Sequence, residues 1–212
     1  MSSHGARWCL VVPVKRLAVA KTRLGPPYAG IRGDLALAFA LDTARAALSA
    51  PAVRAVVVVT DEPEAAQRLR ELGALVVADE PDAGLNPALE HGAVVATEAH
   101  PGCGTGALSA DLPALRADEL TAALGRAEGS ASSFVRDAAG TGTTLALAAP
   151  GTALRPAFGP DSARRHVEAG FTEVVGADLE SVRLDVDTAD DLARARRIGV
   201  GPHTARLLER LG

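Results

Sequence analysis

Residues 54–60 read RAVVVVT, and this stretch decides the fold. Four consecutive valines resist the helix because each loses rotamer freedom against the preceding turn. An unbroken apolar run of strand length fits a strand covered on both faces, which is the setting of parallel sheets flanked by helices. The pattern repeats outward from there. On the N-terminal side lies a helix over 31–49, with Ile31, Leu35 and Phe39 spaced by four and Pro51 closing it; before it stands WCLVVPV (8–14), a second buried strand. On the C-terminal side, Asp61 is the expected N-cap of a helix that ends at Gly73, and ALVVA (74–78) is the next strand. A helix over 85–99, a strand in GTGALSA (104–110) and a helix from Asp118 to Ala127 continue the alternation. Strands that alternate with helices through short connections predict a mostly parallel sheet with helices on both sides.

The second half is less regular. SSFVRD (132–137) and TTLALAA (143–149) flank the glycine-rich turn AAGTG, and so short a link permits antiparallel pairing. A proline-containing loop follows, then a helix near Asp161. VRLDVDT (182–188) reads as a late strand, after which Thr188 caps a helix with Asp191 as its capping-box partner. No internal repeat or linker composition interrupts the chain, so residues 1–212 are expected to form one α/β domain.

Composition narrows the function. The net charge of -4 and 3% aromatic residues speak against a nucleic-acid surface, which needs a basic face or stacking rings. Two distant cysteines without metal-ligand spacing, no signal peptide and no membrane-length apolar run lead us to expect a cytoplasmic protein with free thiols and no membrane partner. Against this acidic background VVPVKRLAVAKTRLG (11–25) stands out: it holds Lys15, Arg16, Lys21 and Arg23, and no acid occurs before Asp34. Ligands of α/β sheets bind at the carboxyl ends of strands, so the loop after the first strand is a place where Lys15, Lys21 and Arg23 could neutralise phosphates. A solvated loop is the plain alternative.

Acids form a second group. Asp111 follows a predicted strand, and Asp185 and Asp187 alternate in LDVDT, so that a strand would turn both to one side. Oxygen donors at strand ends suit Mg²⁺. Taken singly, Asp111 also fits a turn before Pro113, and Asp187 a helix start. Small-residue turns form a third group. GTGTT (140–144) offers backbone N–H groups, and FGPDSARRH (158–166) places Gly159 and Ser162 at a helix start, where an anion can bind unless Asp161 caps it. GxxxxGK[ST], GxGxxG and GxSxG are absent, which sets aside a P-loop, a dinucleotide fold and a serine hydrolase. The five histidines show no metal spacing, and we assign them no function.

Taken in order, VPVKRLAVAKTRL, LNPAL, ADLPAL, GTGTTLALA, FGPDSARRH and DVDTADDL resemble the guanylyltransferases of coenzyme F-420 biosynthesis over nearly the whole chain. The resemblance implies a single-domain Rossmann-like nucleotidyltransferase, related to molybdenum-cofactor guanylyltransferases, with a mostly parallel sheet and an antiparallel extension. It implies transfer of GMP from GTP to phosphoenolpyruvate or 2-phospho-L-lactate, release of pyrophosphate, and an unstable product passed to a downstream enzyme. Carried over residue by residue, it gives Lys15, Lys21 and Arg23 to the GTP phosphates and Asn86 to the nucleoside. Mg²⁺ falls to Asp111, Asp185 and Asp187, and the phosphorylated acid to Thr144, Gly159 and Ser162. Rival expectations are a cytidylyl- or glycosyltransferase of the same fold and a non-catalytic nucleotide binder.

Overall fold

The computed structural model describes residues 7–14, 21–80 and 82–210. A seven-stranded sheet organises them, in the order β3-β2-β1-β4-β6-β5-β7. Strands β1 (Trp8–Pro13), β2 (Val53–Val59), β3 (Leu75–Val77) and β4 (Gly104–Leu108) run parallel. Strand β6 (Thr143–Ala148) pairs antiparallel with both β4 and β5 (Ser132–Arg136), and the two-residue β7 (Thr172–Glu173) continues parallel to β5. This is the expected parallel sheet with its antiparallel extension.

Helices α1 (Arg32–Ser49), α2 (Pro63–Glu71) and α3 (Leu85–Ala99) connect the parallel strands; α4 (Ala117–Arg126) leads from β4 to β5, α5 (Ser162–Glu168) lies between β6 and β7, and α6 (Glu180–Arg183), α7 (Ala189–Ile198) and α8 (Pro202–Glu209) follow β7. Alternate strand residues feed two separate cores. Leu10, Val12, Val56 and Val58 pack with Leu41 of α1, Leu69 of α2 and Leu124 of α4. Cys9, Val11, Val57 and Val59 pack on the other face against Ala88, Leu89 and Ala93 of α3. The valine run is apolar throughout because each valine meets helices on one side or the other. Helix α3 lies close to the sheet because Gly92 has no side chain: a Cβ there would run into Val11 Cγ1 and Val59 Cγ2.

A third, smaller cluster matters most for function. Leu24, Leu35, Phe39, Ala114, Leu184, Val186, Leu192 and Ala195 are all buried together. It fastens the loop after β1, the loop after β4 and the segment before α7 to the N-terminal half of α1.

Two expectations are corrected. Asp61 does not cap α2: the N-cap is Glu62, with no side-chain cap, and Pro63 follows it at a position whose missing N–H leaves one group fewer to satisfy. Asp61 instead accepts a 3.0 Å hydrogen bond from the Asp79 N–H. The segment 182–188 is not a strand: it begins as α6 and continues as irregular chain outside any ladder. The in–out alternation survives, with Leu184 and Val186 buried while Asp185 and Asp187 are half-buried. What is missing is a ladder, because the neighbour at this point is a loop; Val186 N–H donates to the Asp111 carbonyl at 3.0 Å. The capping box is present as expected, with Thr188 Oγ1 accepting from Asp191 N–H and Asp191 Oδ2 accepting from Thr188 N–H at 2.9 Å.

Candidate active site

Strand order reverses between β1 and β4, and the crevice beyond their carboxyl ends is the place where open α/β sheets bind ligands. The chain leaving β1 returns there with Lys21, and the chain leaving β4 supplies Asp111. Lys21 adopts a left-handed backbone, with φ of 55°, an unfavourable state for a residue with a Cβ. Its side chain, 10% exposed, reaches two carboxylates from distant segments: Nζ donates to Asp111 Oδ2 at 2.5 Å and to Asp187 Oδ1 at 3.0 Å. Arg23 donates to the other oxygen of Asp187. Hydrogen bonds between ionised partners are the strong kind, and together they offset the strained backbone. The third cluster explains the meeting, since Leu24, Ala114 and Val186 each lie within three residues of one of these side chains.

The electrostatics follow from this crowding. Burial alone would lower the Lys21 pKa, but the charges of Asp111 and Asp187 outweigh it and raise it. For Asp187 burial would raise the pKa, and the cations Lys21 and Arg23 bring it below the ordinary carboxylate value. Asp185 has no such partner among the described residues: burial, and then repulsion from Asp111, Asp137 and Asp187, push it up to about 7. Three carboxylates with a fourth nearby outnumber the two cations, Lys21 and Arg23, that meet them. Their oxygens are the donors that hard divalent ions prefer. Among the described residues no three such side chains converge to hold an ion as they stand. The Lys21 ammonium lies between Asp111 and Asp187. The donor chemistry therefore fits a divalent ion, provided the ammonium gives way.

The turn GTGTT and the segment FGPDSARRH are brought together, since Ala163 N–H donates to the Thr141 carbonyl at 3.1 Å. Two of the backbone N–H groups that the sequence offered to an anion are already engaged: Thr141 N–H and Gly142 N–H donate to Oδ1 and Oδ2 of Asp137 at 3.0 and 2.8 Å. Thr144 lies at the carboxyl end of β4, its carbonyl accepting from Ser109 N–H at 2.8 Å, and its buried hydroxyl has no partner among the described residues. Ser162 is buried at the start of α5. Asp161 is left-handed and caps nothing with its side chain, so it does not compete for the start of this helix. Gly159 has φ of 122°, which only glycine adopts freely, and a Cβ there would also stand 2.8 Å from Arg165 Nη2.

Asn86 lies in the first turn of α3. Its amide donates to the Phe158 carbonyl at 3.1 Å and accepts from the Phe158 N–H at 2.8 Å, tying α3 to the loop before Gly159. Lys15 and Arg16 lie outside the described residues.

Sequence reasoning missed two residues. Asp137 follows β5 like an ordinary turn residue, and only its depth (8% exposed) reveals it as the acceptor that shapes GTGTT. His166, assigned no function, is fully buried among Phe134, Phe158 and Phe171. Its Nδ1 lies 2.8 Å from the Ser162 carbonyl and 3.1 Å from Thr143 Oγ1, and Nε2 accepts from Ala157 N–H at 3.0 Å. It therefore joins the loop and α5 to β6 as a neutral imidazole. Its place one helical turn after Ser162 was the available signal.

Comparison with known proteins agrees with this architecture. Residues 8–212 match the family described as Guanylyl transferase CofC like. A phosphoenolpyruvate guanylyltransferase of Thermomonospora curvata is 54% identical, with 99% of this chain and 93% of that protein covered. One from Geodermatophilus obscurus is 55% identical, over 95% and 94%. Among solved structures, a nucleotidyl transferase from Methanothermobacter superposes with a TM-score of 0.60 at 19% identity, covering 96% of this chain and all of that one. A Mycobacterium tuberculosis protein solved as a complex with manganese superposes with a TM-score of 0.54 at 23% identity, over 89% and 97%. The solved structures show a shared nucleotidyltransferase fold. From the family match and the relatives together, the chain belongs to the CofC-like guanylyltransferase family.

Proposed function

We propose that this chain transfers GMP from GTP to phosphoenolpyruvate and releases pyrophosphate. One observation carries the reading: Lys21 from the loop after β1 meets Asp111 and Asp187 at the point where strand order reverses. Cations and divalent-ion donors in one crevice are what a triphosphate needs. The names of the relatives support phosphoenolpyruvate over 2-phospho-L-lactate as the acceptor.

The reaction is an in-line displacement. A phosphate oxygen of phosphoenolpyruvate attacks the α-phosphorus of GTP; a new P–O bond forms as the bond to the bridging α–β oxygen breaks, and its electron pair leaves with pyrophosphate. The nucleophile is already an anion, so no side chain has to remove a proton. The obstacle is the approach of two polyanions, and the chain answers it by positioning and charge. Lys21 and Arg23 bind phosphoryl oxygens and offset the charge that grows on the leaving group. Thr144, Gly159 and Ser162, on backbone held by Asp137, Asn86 and His166, orient the acid. Asp111, Asp185 and Asp187 would hold Mg²⁺, which when bound supplies further charge neutralisation at the phosphates. The product, a mixed anhydride of two phosphates, would pass to a downstream enzyme of coenzyme F-420 biosynthesis in the cytoplasm.

The test combines the purified protein with Mg²⁺, one of four nucleoside triphosphates, and phosphoenolpyruvate or 2-phospho-L-lactate, with products identified by mass. GTP with phosphoenolpyruvate is expected to give pyrophosphate and the GMP adduct. Adduct from CTP alone, or GTP binding without pyrophosphate, refutes the reading. Asp111→Asn is expected to slow release about a hundredfold, near 3 kcal/mol of barrier.

A further inference from the structure

Helices α1, α2 and α8 enclose a cavity of about 310 Å³, none of whose lining residues belongs to the candidate active site. Leu37 and Leu41 of α1 and Leu207 of α8 give it apolar walls. Three arginines open onto it: Arg68 of α2, Arg206 of α8, and Arg210, the C-cap of α8. Arg206 and Arg210 are exposed and Arg68 is half-buried, so a solute can reach all three. Among the described residues none of the three forms an ion pair or a side-chain hydrogen bond, although Asp34 and Glu64 line the same cavity.

The two acids are accounted for where they stand. Each lies in the first turn of its own helix, where the macrodipole favours negative charge. The macrodipole also favours Arg68 and Arg206 in the last turns of α2 and α8, but it gives no reason for them to meet at one hollow. Their crowding has a cost. Arg206 and Arg210 stand one turn apart, a spacing at which like charges repel. His203, also on the lining, has its pKa lowered first by burial and then, against the pull of Asp42, by repulsion from Arg68, Arg206 and Arg45. Cations from three helices thus lie within electrostatic reach of one ring, in a chain whose net charge is -4.

We propose that this cavity binds a phosphate group, either free or carried by a small phosphate monoester. Planar guanidinium forks match phosphoryl oxygens, and the anion relieves the repulsion among them. The volume stands at the small end of ligand sites, which suits a phosphate with a short substituent. Asp34 and Glu64, both exposed, are acceptors for hydroxyl groups on that substituent. Leu207 also packs against the third apolar cluster, so an occupant of the cavity and the loops carrying Lys21 and Asp111 bear on one side chain.

The experiment follows the arginine Nε–H signals of isotope-labelled protein by NMR while inorganic phosphate or glycerol phosphate is titrated against chloride at constant ionic strength. Arg68→Gln and Arg206→Gln assign the two signals. In the wild type both are expected to shift together and to saturate with a single Kd. In each variant the remaining signal is expected to report a Kd at least about tenfold weaker. Arg196→Gln removes the same charge from an exposed position of α7 outside the cavity and is expected to leave the Kd unchanged. Tighter binding of glycerol phosphate identifies an ester as the ligand, and binding no tighter identifies free phosphate. Shifts that rise without saturating, that chloride reproduces, or whose Kd is the same in both variants as in the wild type overturn the proposal. Because these signals report the cavity itself, phosphate held by Lys21 and Arg23 cannot imitate the result, and the outcome does not depend on the proposed reaction.

Discussion

Replacing Lys21 by methionine should lower stability and pyrophosphate release while raising affinity for a divalent ion. At an effective dielectric near 20, unit charges 2.5 and 3.0 Å apart attract by about 7 and about 6 kcal/mol. Most of this is offset by burial of the ammonium and by water at Asp111 and Asp187, which are 26% and 39% exposed. A net contribution of about 2 kcal/mol remains, and Lys21→Met should lose roughly that much unfolding free energy in urea. A divalent ion entering the wild type must first displace the ammonium. In the variant that cost is gone, and Mn²⁺ should bind the nucleotide-free protein at least about tenfold tighter, since 1.4 kcal/mol is tenfold. Pyrophosphate release should fall about a hundredfold, because a cation facing the triphosphate is lost. Titration of Mn²⁺ followed by water-proton relaxation gives the affinity. Unchanged or weaker Mn²⁺ binding in Lys21→Met would refute the claim that the ammonium stands where the ion goes.

Three further outcomes follow from the packing. His166 is buried, which lowers its pKa below 6.5; the unfolded chain therefore binds its proton first, and stability is lost as pH falls from 6.5 toward the folded value. Asp185, raised to about 7, works the other way over the same range, so the check is a difference: in urea unfolding between pH 7.5 and 5.5, His166→Phe should lack the loss that His166 contributes, while Asp185 and His203 contribute equally to both proteins. Asp137→Ala leaves the N–H groups of Thr141 and Gly142 without acceptors and should cost about 2–4 kcal/mol in the same assay. Gly92→Ala drives a methyl into Val11 and Val59 and should cost about 1–3 kcal/mol, whereas Gly125→Ala, on the exposed face of α4 with open space around it, should gain about 0.5–1 kcal/mol.

The sheet was legible because its signals are local. RAVVVVT is apolar at every position only if both faces are covered, and the short AAGTG link left antiparallel pairing open for β5 and β6. The segment 182–188 misled because inward and outward alternation belongs to any extended chain resting on a core; a ladder also needs a free neighbour, and neighbours are non-local. β7 has two residues and no periodicity to read. In the site, the residue types of Lys21, Asp111 and Asp187 announced charge chemistry, but their meeting depends on segments up to 166 positions apart. Asp137 and His166 were obscured for a related reason. Their polar atoms serve backbone groups in other loops, and sequence does not reveal which N–H groups a fold leaves in need.

The third apolar cluster has a consequence for biosynthesis. A ribosome releases Lys21 and Asp111 early, and every strand through β7 has been made by residue 173. Leu184, Val186, Leu192 and Ala195, half of the cluster, come afterwards. A nascent chain can thus complete its sheet while its last carboxylates are still unmade, and it gains the full charge arrangement only when the C-terminal helices dock. On the proposed function, chains cut short before these residues would lack nucleotide turnover even with their sheet complete.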